Sequence, residues 1–246
     1  MEQSRRQKKR KSILLVMVFV FPIVFYYLSP YLIIEGGSEG IIAGSFISFL
    51  GMFIGSLFLG RLFCGWLCPG GATQDLCLRV NNKNFNGKKR NLIKYFVWAP
   101  WVSIVAIVFI QSGGVRAIDP FYQTYYGISI SDVYSAITFL VFAFLIAGVS
   151  LAAGKRAFCH SGCWMAPFMI IGRKIRNAVN WSSLQLVADK EKCTSCHICS
   201  KSCSMSLDVN SMVQSGSMEN SECILCGSCV DNCPRHVIKY SFGTKK

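Results

Sequence analysis

Twelve of the thirteen cysteines in this 246-residue chain fall into spaced sets of four. Cys193, Cys196, Cys199 and Cys203 follow C-x2-C-x2-C-x3-C; Cys223, Cys226, Cys229 and Cys233 repeat it, with Pro234 closing the second run. In that pattern one tight loop wraps three corners of an iron–sulfur cubane, and the fourth cysteine of each run serves the other cube. The spacing therefore predicts two [4Fe-4S] clusters, one on Cys193, Cys196, Cys199 and Cys233, the other on Cys223, Cys226, Cys229 and Cys203. Zinc prefers paired C-x2-C units with four ligands per ion, and disulfides are rare on the cytoplasmic side, where this segment is placed below. Ser204 stands where the second run has Pro234, so the turn after Cys203 is expected to be looser.

The third set is Cys64 and Cys68, in Arg61-Leu62-Phe63-Cys64-Gly65-Trp66-Leu67-Cys68-Pro69, with Cys159 and Cys163, in Lys155-Arg156-Ala157-Phe158-Cys159-His160-Ser161-Gly162-Cys163-Trp164. Phe precedes the first cysteine each time and basic residues lie just upstream, so the two C-x3-C units read as a weak internal repeat. If each helix continues through its unit, both sulfurs share a face, while Pro69 discourages further helix. Thiolates at a helix C-terminus oppose the dipole, which calls for Arg61, Lys155, Arg156 or a bound metal. Four gathered thiolates suit a third iron–sulfur cluster; they also suit Cu(I), zinc or dithiol redox chemistry, and buried cysteines also serve simply as packing. Cys77 stands alone and reads as a buried apolar thiol. His160 reads as a hydrogen-bonding interfacial residue, and His197 and His236 as groups that tune cluster hydrogen bonding.

What must position these cysteines is apolar. Hydrophobic residues make up 52% of the chain and charged ones 15%, against about a quarter charged in soluble domains; disorder is excluded by the same numbers. Four stretches suit helices of the roughly 20 residues a bilayer requires: 12–34, 41–63, 92–111 and 133–153. Lys94 lies near an end, where it is expected to snorkel. The first stretch is too long for a signal-peptide core and no small-residue cleavage site follows, so it is expected to stay as an anchor. Lys and Arg number 18 in 1–11, 61–94 and 154–176, against Arg116 alone in the other connections. That asymmetry predicts N- and C-termini, and both C-x3-C units, in the cytoplasm. The net charge of +14 thus reads as topology, not as a nucleic-acid face. Gly51 and Gly55 suggest close helix packing, Pro22 and Pro100 suggest kinks, and Trp98, Trp101, Tyr122, Tyr125 and Tyr126 suggest an interfacial belt.

Together, Arg61-x2-Cys64-x3-Cys68-Pro69, the second C-x3-C and the paired four-cysteine runs resemble the membrane polyferredoxin family of NapH-, NosR- and CcoG-type proteins, across most of residues 55–240. Trp164, where the family form has Pro, is a departure. The resemblance implies a cytoplasm-facing electron relay within a multisubunit chain. The fold expected is an α-helical membrane protein of four transmembrane helices with a C-terminal α+β bacterial-type 2[4Fe-4S] ferredoxin domain. Its parts are a basic cytoplasmic N-terminus (1–11), the transmembrane domain (12–153) with its cytoplasmic loop at 64–68, a C-x3-C segment and linker (154–188), and the ferredoxin domain (189–246), with a first strand near Leu184, Leu186 and Val187. No general base or nucleophile is apparent, so the expected function is an electron-transfer subunit of the inner membrane without substrate chemistry of its own. Expected partners are a soluble ferredoxin or flavodoxin, membrane or extracytoplasmic oxidoreductase subunits, and quinone as a further candidate. The competing reading is a Cu or Fe ion reductase, or a metal-site assembly factor, working through the C-x3-C pairs.

Overall fold

Pro30 divides the first apolar stretch. The computed structural model, which describes residues 4–85 and 90–244, has α1 at Arg5–Val24, a 3-10 turn at Tyr26–Leu28, and α2 at Pro30–Ser38. Ser29 is extended, as a residue before proline tends to be, and Pro30 opens the new helix where its missing N–H costs nothing. The carbonyls freed at the break find donors. Ser129 Oγ reaches Ile23 O at 2.5 Å, Trp164 Nε1 reaches Leu28 O at 3.1 Å, and Trp101 Nε1 reaches Pro30 O at 3.0 Å. The expected span 12–34 is therefore two helices. Lys88 and Lys89, counted in the charge asymmetry, lie outside the described residues, as do 1–3 and 245–246.

A short strand, β1 (Ile41–Ala43), leads into α3 (Gly44–Leu59), which at 16 residues runs about 24 Å. Two five-residue helices carry the first cysteine of each C-x3-C unit. The first, α4 (Leu62–Trp66), is followed by α5 (Pro69–Cys77). After α6 (Ile93–Gln111), β2 (Ala117–Asp119) and α7 (Val133–Ala153), the second, α8 (Ala157–Ser161), is followed by α9 (Ala166–Val179). The internal repeat is thus structural: long helix, glycine with positive φ (Gly60, Gly154), short helix, second cysteine, and a helix with proline in its first turn (Pro69, Pro167). Parallel pairing of β1 with β2 ties the connections at the opposite end of these helices.

Arg90–Gln111 and Val133–Ala153 are long and apolar enough to cross a membrane, and little of either is buried within the chain. Gly51 and Gly55 meet no neighbour within 4 Å, so the expected small-residue packing is absent among the described residues; α3 instead meets α9, where Ser56 occupies the space a side chain at 172 would need. Of the expected aromatic belt, Tyr125 and Tyr126 are exposed, while Trp98 and Trp101 turn inward onto Phe168.

The stretch read as a linker is ordered structure. Arg173 on α9 pairs with Glu219 at 2.6 Å and donates to Ser183 Oγ and Leu184 O, both at 2.9 Å. Those residues begin β3 (Ser183–Ala188), which covers the expected strand and pairs antiparallel with β4 (Ile238–Gly243). Between these strands lie α10 (Ile198–Lys201), α11 (Val209–Gln214) and α12 (Ser228–Asp231). The basic N-terminal stretch is likewise helical, with Gln7 and Arg10 buried. Arg6 pairs with Asp231 at 2.6 Å, and Gln7 donates to Cys226 O at 3.0 Å.

Candidate metal centre

Each four-cysteine run turns through left-handed residues two and four positions after its first cysteine: Ser195 and His197 in one, Leu225 and Gly227 in the other. A side chain at 227 would collide with the Tyr240 hydroxyl, 2.7 Å from the Cβ position, so only glycine serves there. These turns bend the loops inward, and the cysteines surround two cavities. Cys193, Cys196, Cys199 and Cys233 line one; Cys203, Cys223, Cys226 and Cys229 line the other. The lining thus groups Cys233 with the first run and Cys203 with the second. The first is the more open, since Cys196 is exposed, while Cys203, Cys226 and Cys229 are buried. His197 and His236 are exposed, and no hydrogen bond from either to a cysteine sulfur is found among the described residues. Ser204, the departure from proline, is buried with its hydroxyl 3.9 Å from Cys226 Sγ; Ser228 Oγ lies 3.6 Å from the same sulfur.

The C-x3-C cysteines are all buried, and Cys68, Cys159 and Cys163 line a third, apolar cavity. Cys64 stands next to it, 3.8 Å from Met169 Sδ. Two expectations are corrected here. Pro69 starts a helix rather than ending one, because proline suits the first helical position. Consequently Cys68 caps the N-terminus of α5, accepting from Gly71 N at 3.4 Å, so the dipole there favours its thiolate. Lys94 does not snorkel: it is fully buried and pairs with Glu222 at 2.5 Å.

Burial pushes the Cys163 and Cys223 thiols up to about 12 and Cys203 to about 11, each reinforced by neighbouring cysteines. Bare thiolates are disfavoured at such positions; a cationic core is what would hold them. The surrounding donors fit the same group. Arg61 and Arg156 are wholly buried beside the C-x3-C cysteines, and Arg61 Nε and Nη2 and Arg156 Nη2 have no partner among the described residues. Such orphaned donors call for an acceptor, and sulfide or thiolate sulfur of a cluster is one. Gln74 Nε2 already points at Cys159 Sγ, 3.1 Å away. No three Cys, His, Asp or Glu side chains among the described residues gather around a single-ion position.

Sequence reasoning missed the residues that join these centres. Glu222, directly before Cys223, accepts from Arg61 at 2.7 Å and from Lys94. Asp75 accepts from Arg156 at 2.6 Å and also from Arg10, while Arg156 donates to Cys64 O at 2.7 Å. The available signal was an isolated carboxylate beside a ligand or in an apolar stretch, in a chain with only 12 acidic residues. The residue following the first cysteine of each C-x3-C unit presses on a ferredoxin-type loop. A side chain at Gly65 would lie 2.3 Å from Ile224 O, and His160 Nε2 faces Met205 O at 3.1 Å. Burial lowers the His160 pKa to about 4, leaving a neutral ring. Cys77 is only half-buried, 3.9 Å from Ala147 O.

The comparisons with known proteins fall on these same segments. Residues 42–88 and 135–181 match a "4Fe-4S binding domain", one match for each C-x3-C unit, and residues 192–238 match a "4Fe-4S dicluster domain". An uncharacterized protein of Methanocaldococcus jannaschii is 24% identical over 191 residues, covering 76% of this chain and 66% of that protein. The putative electron transport protein YccM of Escherichia coli is 23% identical over 218 residues, 83% of this chain and 57% of YccM. Protein NirI of Paracoccus denitrificans is 25% identical over 198 residues, 75% of this chain and 26% of NirI. The chain spans less than two thirds of each of these relatives, and no solved structure matches it. With 4Fe-4S domain matches over both cysteine repeats and the paired runs, the chain is an iron–sulfur protein of the polyferredoxin family.

Proposed function

We propose that this chain is a membrane-anchored relay subunit that passes single electrons between a cytoplasmic carrier and a redox site in the membrane or in a partner protein. Three [4Fe-4S] clusters, when bound, would supply the one-electron chemistry. Cys193, Cys196, Cys199 and Cys233 hold the first; Cys223, Cys226, Cys229 and Cys203 the second; Cys64, Cys68, Cys159 and Cys163 the third. The observation that carries this reading is the close approach of the cysteine loops: Gly65 lies so near the Ile224 carbonyl that no Cβ fits, and the His160 ring meets Met205 O at 3.1 Å. Arg61 and Lys94 clamp that junction through Glu222. The accessible Cys196 faces the carrier, an acidic ferredoxin or flavodoxin, and the apolar third cavity faces the membrane side.

The membrane part of the proposal is four spans, formed by α1 with α2, α3, α6 and α7, with both termini and all twelve ligand cysteines at the cytoplasmic face. Its support is the 18-to-1 basic asymmetry and the outward apolar side chains of α6 and α7, among them Phe96, Ile110 and Phe144. Iron and acid-labile sulfide per chain test the cluster count, in wild type and in Cys64→Ala/Cys159→Ala. About twelve irons falling to about eight supports three clusters. Eight irons in both, or copper copurifying in place of the missing four, overturns the third.

A further inference from the structure

We propose that a cleft between α1 and α5 binds the phosphate headgroup of an anionic phospholipid. The cleft measures about 550 Å³ and is lined from α1 by Arg10, Lys11 and Leu14, and from α5 and its exit by Leu76 and Arg79. That volume falls within the range of small-molecule sites. It is distinct from the three cysteine cavities, although Ser204 and Ser228 also line it.

The charge in the cleft is one-sided. Both of its carboxylates are neutralised: Asp75 by Arg10 and Arg156, Asp231 by Arg6 with help from Gln7. Lys11 and Arg79 are exposed, one on each wall, and neither side chain has a partner among the described residues. Two free cations across a cleft suit a phosphate, with the guanidinium binding in fork geometry and the ammonium as a point charge.

Position selects a lipid as its source. Lys11 is the last charged residue of α1; from Ser12 to Val24 the helix carries none, and the exposed Leu15 and Leu76 line the same cleft as the cations. The cleft therefore sits where a charged surface gives way to an apolar one, the level at which headgroups lie. Free phosphate would use the cations and leave the leucine wall idle. The inference rests on the membrane reading given above.

Native mass spectrometry of the delipidated, full-length holoprotein in detergent tests it, with phosphatidylglycerol, phosphatidylcholine and inorganic phosphate as probes. Wild type is expected to retain phosphatidylglycerol over phosphatidylcholine by about tenfold or more. Lys11→Gln/Arg79→Gln is expected to lose that preference, while Lys174→Gln/Lys190→Gln, matched in charge but remote from the cleft, keeps it; iron content stays constant in both. Equal retention of the two lipids, an unchanged preference in the cleft variant, or inorganic phosphate bound in place of lipid overturns the proposal. Membrane fractionation separates two kinds of failure. A chain recovered without detergent ends the membrane reading and the site with it; a membrane-bound chain without lipid preference ends the site alone.

Discussion

Cys193 follows Lys192, whose ammonium meets Asp189 at 2.6 Å with both side chains largely in water, whereas Cys223 follows Glu222, whose two oxygens are held by the buried Arg61 and Lys94. The two runs share ligand spacing and left-handed turns. They differ in what stands next to the ligands. One loop faces outward with Cys196 exposed; the other is pressed against α4 by Gly65, Trp66 and Arg61. Ligand spacing specifies the cluster, and the neighbouring residue specifies what the cluster loop is joined to.

The comparison is broken most severely at Glu222. Glu222→Gln strands two buried cations, and unfolding titrations are expected to show a loss of about 3–5 kcal/mol. Burial alone would raise the Glu222 pKa, but Arg61 and then Lys94 outweigh it and hold the carboxyl below its usual range. A depressed folded pKa gives stability that is present above the unfolded value, about 4.3, and is lost as pH falls through the folded one. Melting curves should therefore show the gap between wild type and variant at full size above about pH 5, closing below about pH 4.

Gly65→Ala comes next. Its new methyl would enter the space of the Ile224 carbonyl, a cost of about 1–3 kcal/mol, measurable by the same titration. Gln7→Ala removes the buried amide bonded to Cys226 O and Asp231 and should cost about 1–2 kcal/mol. Its thermal melt should also show α1 loosened from α12. At the far end, Lys192→Gln should leave the melting temperature unchanged, because a solvated pair contributes little. A measurable drop there would erase the contrast between the two loops.

The cysteine runs, the strand at 183–188 and the apolar cores of α6 and α7 were legible because spacing and hydropathy are local properties. What was not legible is long-range pairing. Lys94 read as a snorkelling lysine because its partner lies 128 residues away at Glu222. The basic N-terminus read as a topological signal, although Gln7 and Arg10 are buried against the cysteine loops. Pro69 read as a helix stop because a proline alone does not tell the end of one helix from the start of the next; Cys68 as the cap decides it, and reverses the dipole argument for that thiolate. The assignment of individual cysteines to clusters rests on spacing and on the cavities together.

Main chain meets main chain where Gly65 lies on Ile224. A separation fixed this way is indifferent to most mutational drift, since side chains around it can change in size and polarity without altering the gap. The tolerance ends at the glycine itself and at the Glu222 clamp beside it. A lineage of such proteins could vary its carriers and its lipid surroundings widely while this single junction stayed the same.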